Sequence, residues 1–395
     1  KKTNNVAELV EWVKTFTPAE TERLAGVPAK DLEAVAAMLA GAKRALILYG
    51  TAAWSSPDVL RALNNLALLI GASAPACVVD ACNTRGALDM GVAPGLLPGR
   101  EPLAKGAVRE RLGKSWRAKL SSRPGLSAEE MKAAVRDGRM KALYIMHANP
   151  VAEAPGWEKA LKGEGTFVVV QDMFLTETAQ LADVVLPCAS FAEGDGTVTN
   201  LAGRVQRVSQ CVPLLSDVRT DAQILRALAR EMGGDFGYEN VQAVTREIAR
   251  VVELYAGTNH DALPAEGRLL DYPNGVLRFA RAEYEAPRTN EEYPLTAVTG
   301  RLLCDGDWLL RETEAFATLV PEPFVLLNPA DAAALDVKDG LKVKVTSRVG
   351  QLRVVARVSD DIQRGCAYLP LRAGDTLAVT VLQDDAAATR VRISR

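Results

Sequence analysis

The sequence predicts an α/β fold with doubly wound, mostly parallel sheets, followed by a small C-terminal β-barrel. Three observations carry this prediction. Continuous apolar runs such as ALILY (45–49), ALYIM (142–146) and FVVVQ (167–171) have the pattern of strands buried on both faces. Capped helical segments alternate with them. Beyond Tyr293 the spacing changes to short strands rich in Val, Leu and Thr, separated by Gly or Asp turns.

Taken in order, Thr17-Pro18-Ala19-Glu20 reads as a capping box with proline at the first helical position. An amphipathic helix follows from Pro28 to Ala40 and stops at Gly41. Ala45–Tyr49 is then expected as a buried parallel strand, residues 58–70 as a helix and Ala76–Val79 as a short strand. Cys82–Arg100 is dense in Gly and Pro and is read as an irregular loop, either functional or covered by a partner. Ser127 to Glu130 caps a helix that ends near Gly138, and Ala142–Met146, Phe167–Gln171 and Val184–Leu186 complete the parallel strands. Asp221–Met232 is a helix stopped by Gly233-Gly234. From Asp235 to Asn290 the pattern weakens, as in a surface connection. In the tail, strands are expected at Leu295–Thr299, Phe324–Leu327, Leu341–Ser347, Leu352–Val358 and Ala367–Leu369, with a helix over Asn328–Val337. Asp339-Gly340 and Val349-Gly350 are turn sites. The expected domains are thus a partial α/β domain (1–80), an α/β cofactor-cleft domain (81–235), a connection (236–292) and the barrel (293–395).

At 395 residues the chain is long enough for two or three domains. Its 47 basic and 49 acidic side chains leave a net charge of -2, so no field draws nucleic acid or anionic lipid. The uncharged run Ala62–Val79 is interrupted by Asn64, Asn65, Gly71 and Pro75 and falls short of the roughly 20 apolar residues of a membrane span. No secretory signal opens the chain, and the absence of a starting Met is read as the sign of a fragment or a processed product. Cysteines 77, 82, 188, 211, 304 and 366 are too sparse for a disulfide scaffold and are read as buried free thiols in a reducing cytoplasm. They lack the clustering of iron–sulfur ligands, and the two histidines, His147 and His260, form no H-x3-H zinc spacing.

Polar residues cluster where parallel strands end, which is where open α/β sheets bind ligands. His147-Ala-Asn149-Pro150 follows one strand; Asn149 suits a nucleotide, or it simply starts a turn. Gln171-Asp172 ends another, with Thr176-Glu177-Thr178 at an expected helix start. These residues suit guanine or ribose, or form a plain helix cap. Asp195 and Arg204 add an acidic turn and a guanidinium, the latter suited equally to an anion or to a structural ion pair. There is no phosphate loop and no nucleophile elbow.

The segments ALILYGTA, ACNTRGALDMG, RPGLSAEEMKAAVRDGRMKALYIMHANP, VVVQDMFLTETAQLADVVLP, YPLTAVTGR and PFVLLNPADAAALDVKDG run in this order through most of the chain. Together they resemble the molybdopterin oxidoreductase family. The resemblance implies that family's sheets, a molybdopterin guanine dinucleotide as cofactor, and binding positions at Asn149, Gln171, Asp172, Thr176, Glu177 and Thr178; Asp195 and Arg204 join them as cofactor-binding candidates on their own chemistry. Two segments depart from the family's catalytic members: LLCDGDWLLRETEAF (302–316) and AGDTLAVTVL (373–382) stand where pterin-holding loops are found. Apolar or acidic residues there leave a pterin poorly hydrogen-bonded, so a vestigial site is expected.

The same departures resemble the large iron–sulfur subunit, the G subunit, of NADH-quinone oxidoreductase (respiratory complex I). That resemblance implies a non-catalytic scaffold supporting electron transfer from NADH to quinone, with iron–sulfur clusters only in an amino-terminal region outside this chain. It also implies peripheral-arm subunits as partners, and a cytoplasmic place at the inner face of the membrane without insertion. Residues 1–80 supply few strands to cover their sheet edges, so an amino-terminal half is expected to be missing. The alternatives are the cofactor-binding part of a molybdopterin-dependent formate dehydrogenase-type enzyme and a guanine-nucleotide-binding module.

Overall fold

The computed structural model describes residues 5–51, 53, 56–79, 81–215, 217–273, 277–283, 291–303, 310, 312–383 and 389–395. Two compact units emerge, residues 1–81 with 272–288 and residues 82–271 with 289–395.

The first unit runs α1 (Val6–Val13), α2 (Pro18–Ala25), α3 (Ala29–Gly41), β1 (Leu48–Gly50), α4 (Pro57–Leu69) and β2 (Ala76–Val78). Thr17 caps α2 by accepting from the Glu20 amide, whereas the Glu20 carboxylate pairs with Arg23 and does not complete the capping box. β1 and β2 pair in parallel, Leu48 opposite Ala76. The expected buried strand is shorter than its apolar run, and its side chains are not covered within the unit: Leu46 is 65% and Leu48 58% exposed. A two-strand ribbon has too few neighbours to bury both faces. Inside α4, buried Asn65 clamps the returning chain by donating to the Ala280 carbonyl and accepting from the Ala280 amide.

The second unit opens with α5 (Thr84–Asp89), the short strands β3 (Leu96–Leu97) and β4 (Glu101–Pro102), α6 (Gly106–Trp116) and α7 (Ala128–Arg136). The stretch read as an irregular loop, Cys82–Arg100, is therefore built around a helix and a two-stranded turn. At Gly91, with φ +83°, a Cβ would lie 2.7 Å from the Leu97 carbonyl carbon, so glycine marks a close backbone approach. Ser127 and Glu130 form the expected reciprocal capping box on α7.

Next come β5 (Ala142–Met146), α8 (Pro150–Glu153), α9 (Trp157–Leu161), β6 (Phe167–Asp172) and β7 (Val184–Pro187), with the three strands parallel in the order β5-β6-β7. Val135 of α7 and Trp157 and Leu161 of α9 pack on Leu143, Ile145, Val168 and Val170. Only that face is covered within the unit, and Tyr144 and Phe167 on the other are 39% and 51% exposed. Continuous apolar runs thus overstated the burial of β5 and β7. β8 (Gly196–Thr199), β9 (Arg204–Val208), α10 (Asp221–Glu231), α11 (Val241–Val251) and β10 (Arg268–Leu269) follow. The expected connection after Asp235 in fact contains α11, whose Asn240 side chain accepts from the Ala243 amide. Residues 274–276 and 284–290 of that expected connection lie outside the described residues.

The remaining elements are β11 (Leu295–Gly300), α12 (Glu314–Ala317), β12 (Phe324–Leu327), α13 (Pro329–Ala334), β13 (Lys342–Thr346), β14 (Gln351–Val358), β15 (Cys366–Pro370), β16 (Arg372–Ala373), β17 (Thr376–Leu377) and β18 (Arg390–Ser394). Six of them close the barrel in the order β11-β15-β12-β14-β13-β18. Val325, Leu327, Val345, Ala356 and Val391 fill it and are fully buried. Of the departing segment 302–316, residues 304–309 and 311 lie outside the described residues. The other departing segment, 373–382, contributes to the β16–β17 hairpin and a 3-10 turn.

Candidate functional site

The carboxyl edge of the β5-β6-β7 sheet gathers polar side chains because each strand stops there and its last residues turn toward α10. His147 follows β5 with φ +46°, a left-handed backbone that a side chain rarely adopts. Its Nε2 lies 3.0 Å from both oxygens of Asp221, the first residue of α10. Gln171, fully buried at the end of β6, donates to Asp221 at 2.5 Å and accepts from the Tyr144 hydroxyl. Cys188, just past β7, places Sγ 3.8 Å from the same Nε2. Asp172 accepts from the Met173 and Phe174 amides, both bonds falling on Oδ1, which leaves Oδ2 with acceptor capacity.

Beside this group lies a second cluster. Asn149 donates to Glu177 at 2.6 Å and accepts from the Thr178 amide and hydroxyl. Thr176 accepts from the Ala179 amide ahead of a single 3-10 turn, Ala179–Leu181, shorter than the expected helix. Arg372 of β16 donates to Glu177, which ties the β16–β17 hairpin to this loop.

Charge follows the geometry. The hydrogen bond to Asp221 holds His147 above its ordinary pKa. Burial would raise Asp221, but the hydrogen bonds from His147, Gln171 and Cys188 and the nearby imidazole charge together outweigh this and leave it below the usual range. Burial pushes the Cys188 thiol up to about 12, reinforced by Asp221 and Asp172. Asp172 is raised, chiefly by burial. Glu177 is likewise penalised by burial, yet the bonds from Arg372 and Asn149 bring it to about 2.

Of the sequence-derived positions, Gln171 and Asp172 fall in the first group, and Asn149, Thr176, Glu177 and Thr178 in the second. Asp195 and Arg204 lie apart from both, in the β8–β9 region. Asp195 accepts from the Gln210 amide, and the Arg204 guanidinium donates to the Glu266 carbonyl at 3.4 Å. Tyr144, Cys188, Asp221 and Arg372 were not singled out by sequence reasoning. For Cys188 a signal existed, since it directly follows a strand of the same parallel set. Its burial matches the expected buried thiol, whereas Cys82 and Cys211 are exposed; Cys304 lies outside the described residues.

A model of the molybdopterin oxidoreductase family matches residues 15–231. The chain belongs to the molybdopterin oxidoreductase family. A model of the molybdopterin dinucleotide binding domain matches residues 295–391, the span of the barrel. Among its relatives, F420-dependent formate dehydrogenase 1 subunit alpha of Methanococcus maripaludis is 32% identical over 95% of this chain and 60% of its own length. A G-type subunit of NADH-quinone oxidoreductase from Rhizobium meliloti is 32% identical over 74% of this chain and 34% of its own length. Acetylene hydratase from Pelobacter acetylenicus shares the fold, with a TM-score of 0.73 at 18% identity, covering 98% of this chain and 66% of that one. The chain spans about three fifths of the length of the formate dehydrogenase relatives.

The strand-end chemistry fits the guanine end of a pterin dinucleotide at one residue in particular. Asp172 is a carboxylate only 4% exposed, and its burial cost is offset when paired N–H donors of a base meet its open oxygen. Among the described residues, no helix is long and apolar enough to cross a membrane.

Proposed function

We propose that this chain is the dinucleotide-binding part of a molybdopterin-dependent, formate dehydrogenase-type oxidoreductase. The observation that carries this reading is the identity to the Methanococcus maripaludis subunit alpha, sustained over 95% of the chain. The NADH-quinone oxidoreductase relative matches a smaller share, 74%, and lends the complex I scaffold, with its peripheral-arm partners, the weaker support. The match of the barrel to a dinucleotide binding domain supports a cofactor that this chain helps to hold, despite the two departing segments.

In this reading Asp172 accepts from the guanine, and Gln171 supports the same strand end. Asn149, Glu177 and Thr178 keep the neighbouring loop in one conformation, and Arg372 fastens the β16–β17 hairpin against it. When bound, such a cofactor supplies two-electron chemistry at molybdenum or tungsten.

The test is metal and nucleotide analysis of the natural protein. Stoichiometric molybdenum or tungsten with releasable guanine nucleotide, together with formate-dependent reduction of an artificial acceptor, is the expected result. Asp172→Asn should weaken nucleotide retention about tenfold or more, by the loss of a charge-assisted bond. A natural protein free of both that supports electron transfer from NADH to quinone overturns the reading in favour of the complex I scaffold.

A further inference from the structure

The sequence holds no zinc spacing, yet three ligand-type side chains from separate elements meet at the carboxyl edge of the sheet. His147 Nε2, Cys188 Sγ and an Asp221 carboxylate oxygen all lie within 4.8 Å of one another. A nucleophilic relay would set cysteine and aspartate on opposite nitrogens of the imidazole. Here both face Nε2, so the three donor atoms surround one point.

Zinc with N, O and S ligands at about 2.0–2.3 Å in tetrahedral array holds its donor atoms about 3.3–3.6 Å apart. The observed 3.0 Å from nitrogen to oxygen and 3.8 Å from sulfur to nitrogen bracket that range. Outer support is already present. Gln171 donates to Asp221 and is itself held by the Tyr144 hydroxyl, an arrangement that aims the carboxylate. The side chains of His147 and Asp221 are 33% and 41% exposed, so the point they surround is open to water on one side.

We propose that His147, Cys188 and Asp221 form a Zn2+ site with three protein ligands and one open coordination position. Imidazole and thiolate donors select zinc over magnesium or calcium, which take oxygen. Asp172 and the Asn149–Glu177 cluster supply no ligand, so Zn2+ binding retained in Asp172→Asn separates this site from the proposed guanine contact, with which it shares Gln171.

The experiment is titration of the chelator-treated chain with Zn2+, and with Co2+ as a spectroscopic substitute. One equivalent should bind, and Co2+ should give a thiolate-to-metal charge-transfer band. Cys188→Ser and His147→Gly should each abolish the band and weaken Zn2+ binding more than about 100-fold, with Gln171→Leu losing about 10- to 100-fold. His147→Gly frees a left-handed backbone position, so an unchanged or raised thermal transition in chelator separates ligand loss from misfolding. Failure to bind Zn2+ overturns the proposal. So does binding that survives Cys188→Ser, which would assign the metal to other thiols such as the exposed Cys82 and Cys211.

Discussion

At the scale of single residues, the strand-end site contains both strain and compensation. His147 holds φ +46°, a conformation that costs a non-glycine residue about 1–2 kcal/mol. In metal-free alkaline buffer, where the bond to Asp221 has faded, His147→Gly should therefore stabilise the chain by about 1 kcal/mol, measured by denaturant unfolding. The gain should depend on pH. Asp221 raises the His147 pKa, so the contribution of their bond is full below 6.5, the ordinary histidine value, and fades as pH rises through the shifted one. The stabilisation by glycine should then be larger in alkaline than in mildly acidic buffer. Arg372 gives the opposite case. Its partner Glu177 is depressed to about 2, so their bond stabilises above the ordinary 4.5 and is lost as pH falls toward the lower value. Arg372→Ala should cost about 2–3 kcal/mol at neutral pH, the range of a hydrogen bond to a charged group, and progressively less below 4.5.

Secondary-structure elements were legible where a local signal and the tertiary outcome agreed. The Ser127-x-x-Glu130 box names the start of α7 because both of its bonds lie within four residues, and Ser127→Ala should cost about 1 kcal/mol in thermal unfolding. Apolar runs located β5, β6 and β7 but not their exposure, since covering a face depends on helices distant in sequence. α11 had two local signs, the Asn240 cap and apolar Val241, Val244, Ile248 and Val251 at helical spacing, which the Gly- and Pro-rich flanks on either side obscured. β18 was missed for another reason. Arg390-Val391-Arg392-Ile393 alternates charge with apolar side chains, the pattern of a half-buried strand, but the run is short and ends the chain; pairing with β11 and β13 puts Val391 and Ile393 in the core. Leu327→Ala in that fully buried core should cost about 2–5 kcal/mol by the same unfolding measurement.

For the whole molecule, motif order pointed to the family and to the sheet-then-barrel sequence. Placement of the site was legible only in part: Gln171 and Asp172 meet the His147 group, while Asp195 and Arg204 stand elsewhere. Strand-end logic finds residues that follow strands, whereas Asp195 precedes β8 and Arg204 opens β9 of a separate antiparallel sheet. Asp221 escaped because its role depends on where α10 begins in space. The barrel has one more consequence, in time. Its earliest strand, β11, pairs with its latest, Leu295 opposite Val391. At a synthesis rate of ~5–20 residues per second, Leu295 waits roughly 5–20 s for that partner to be made. During this interval the nascent β11 shows a bare edge, so aggregation of newly made chains, and any chaperone that prevents it, should act there first.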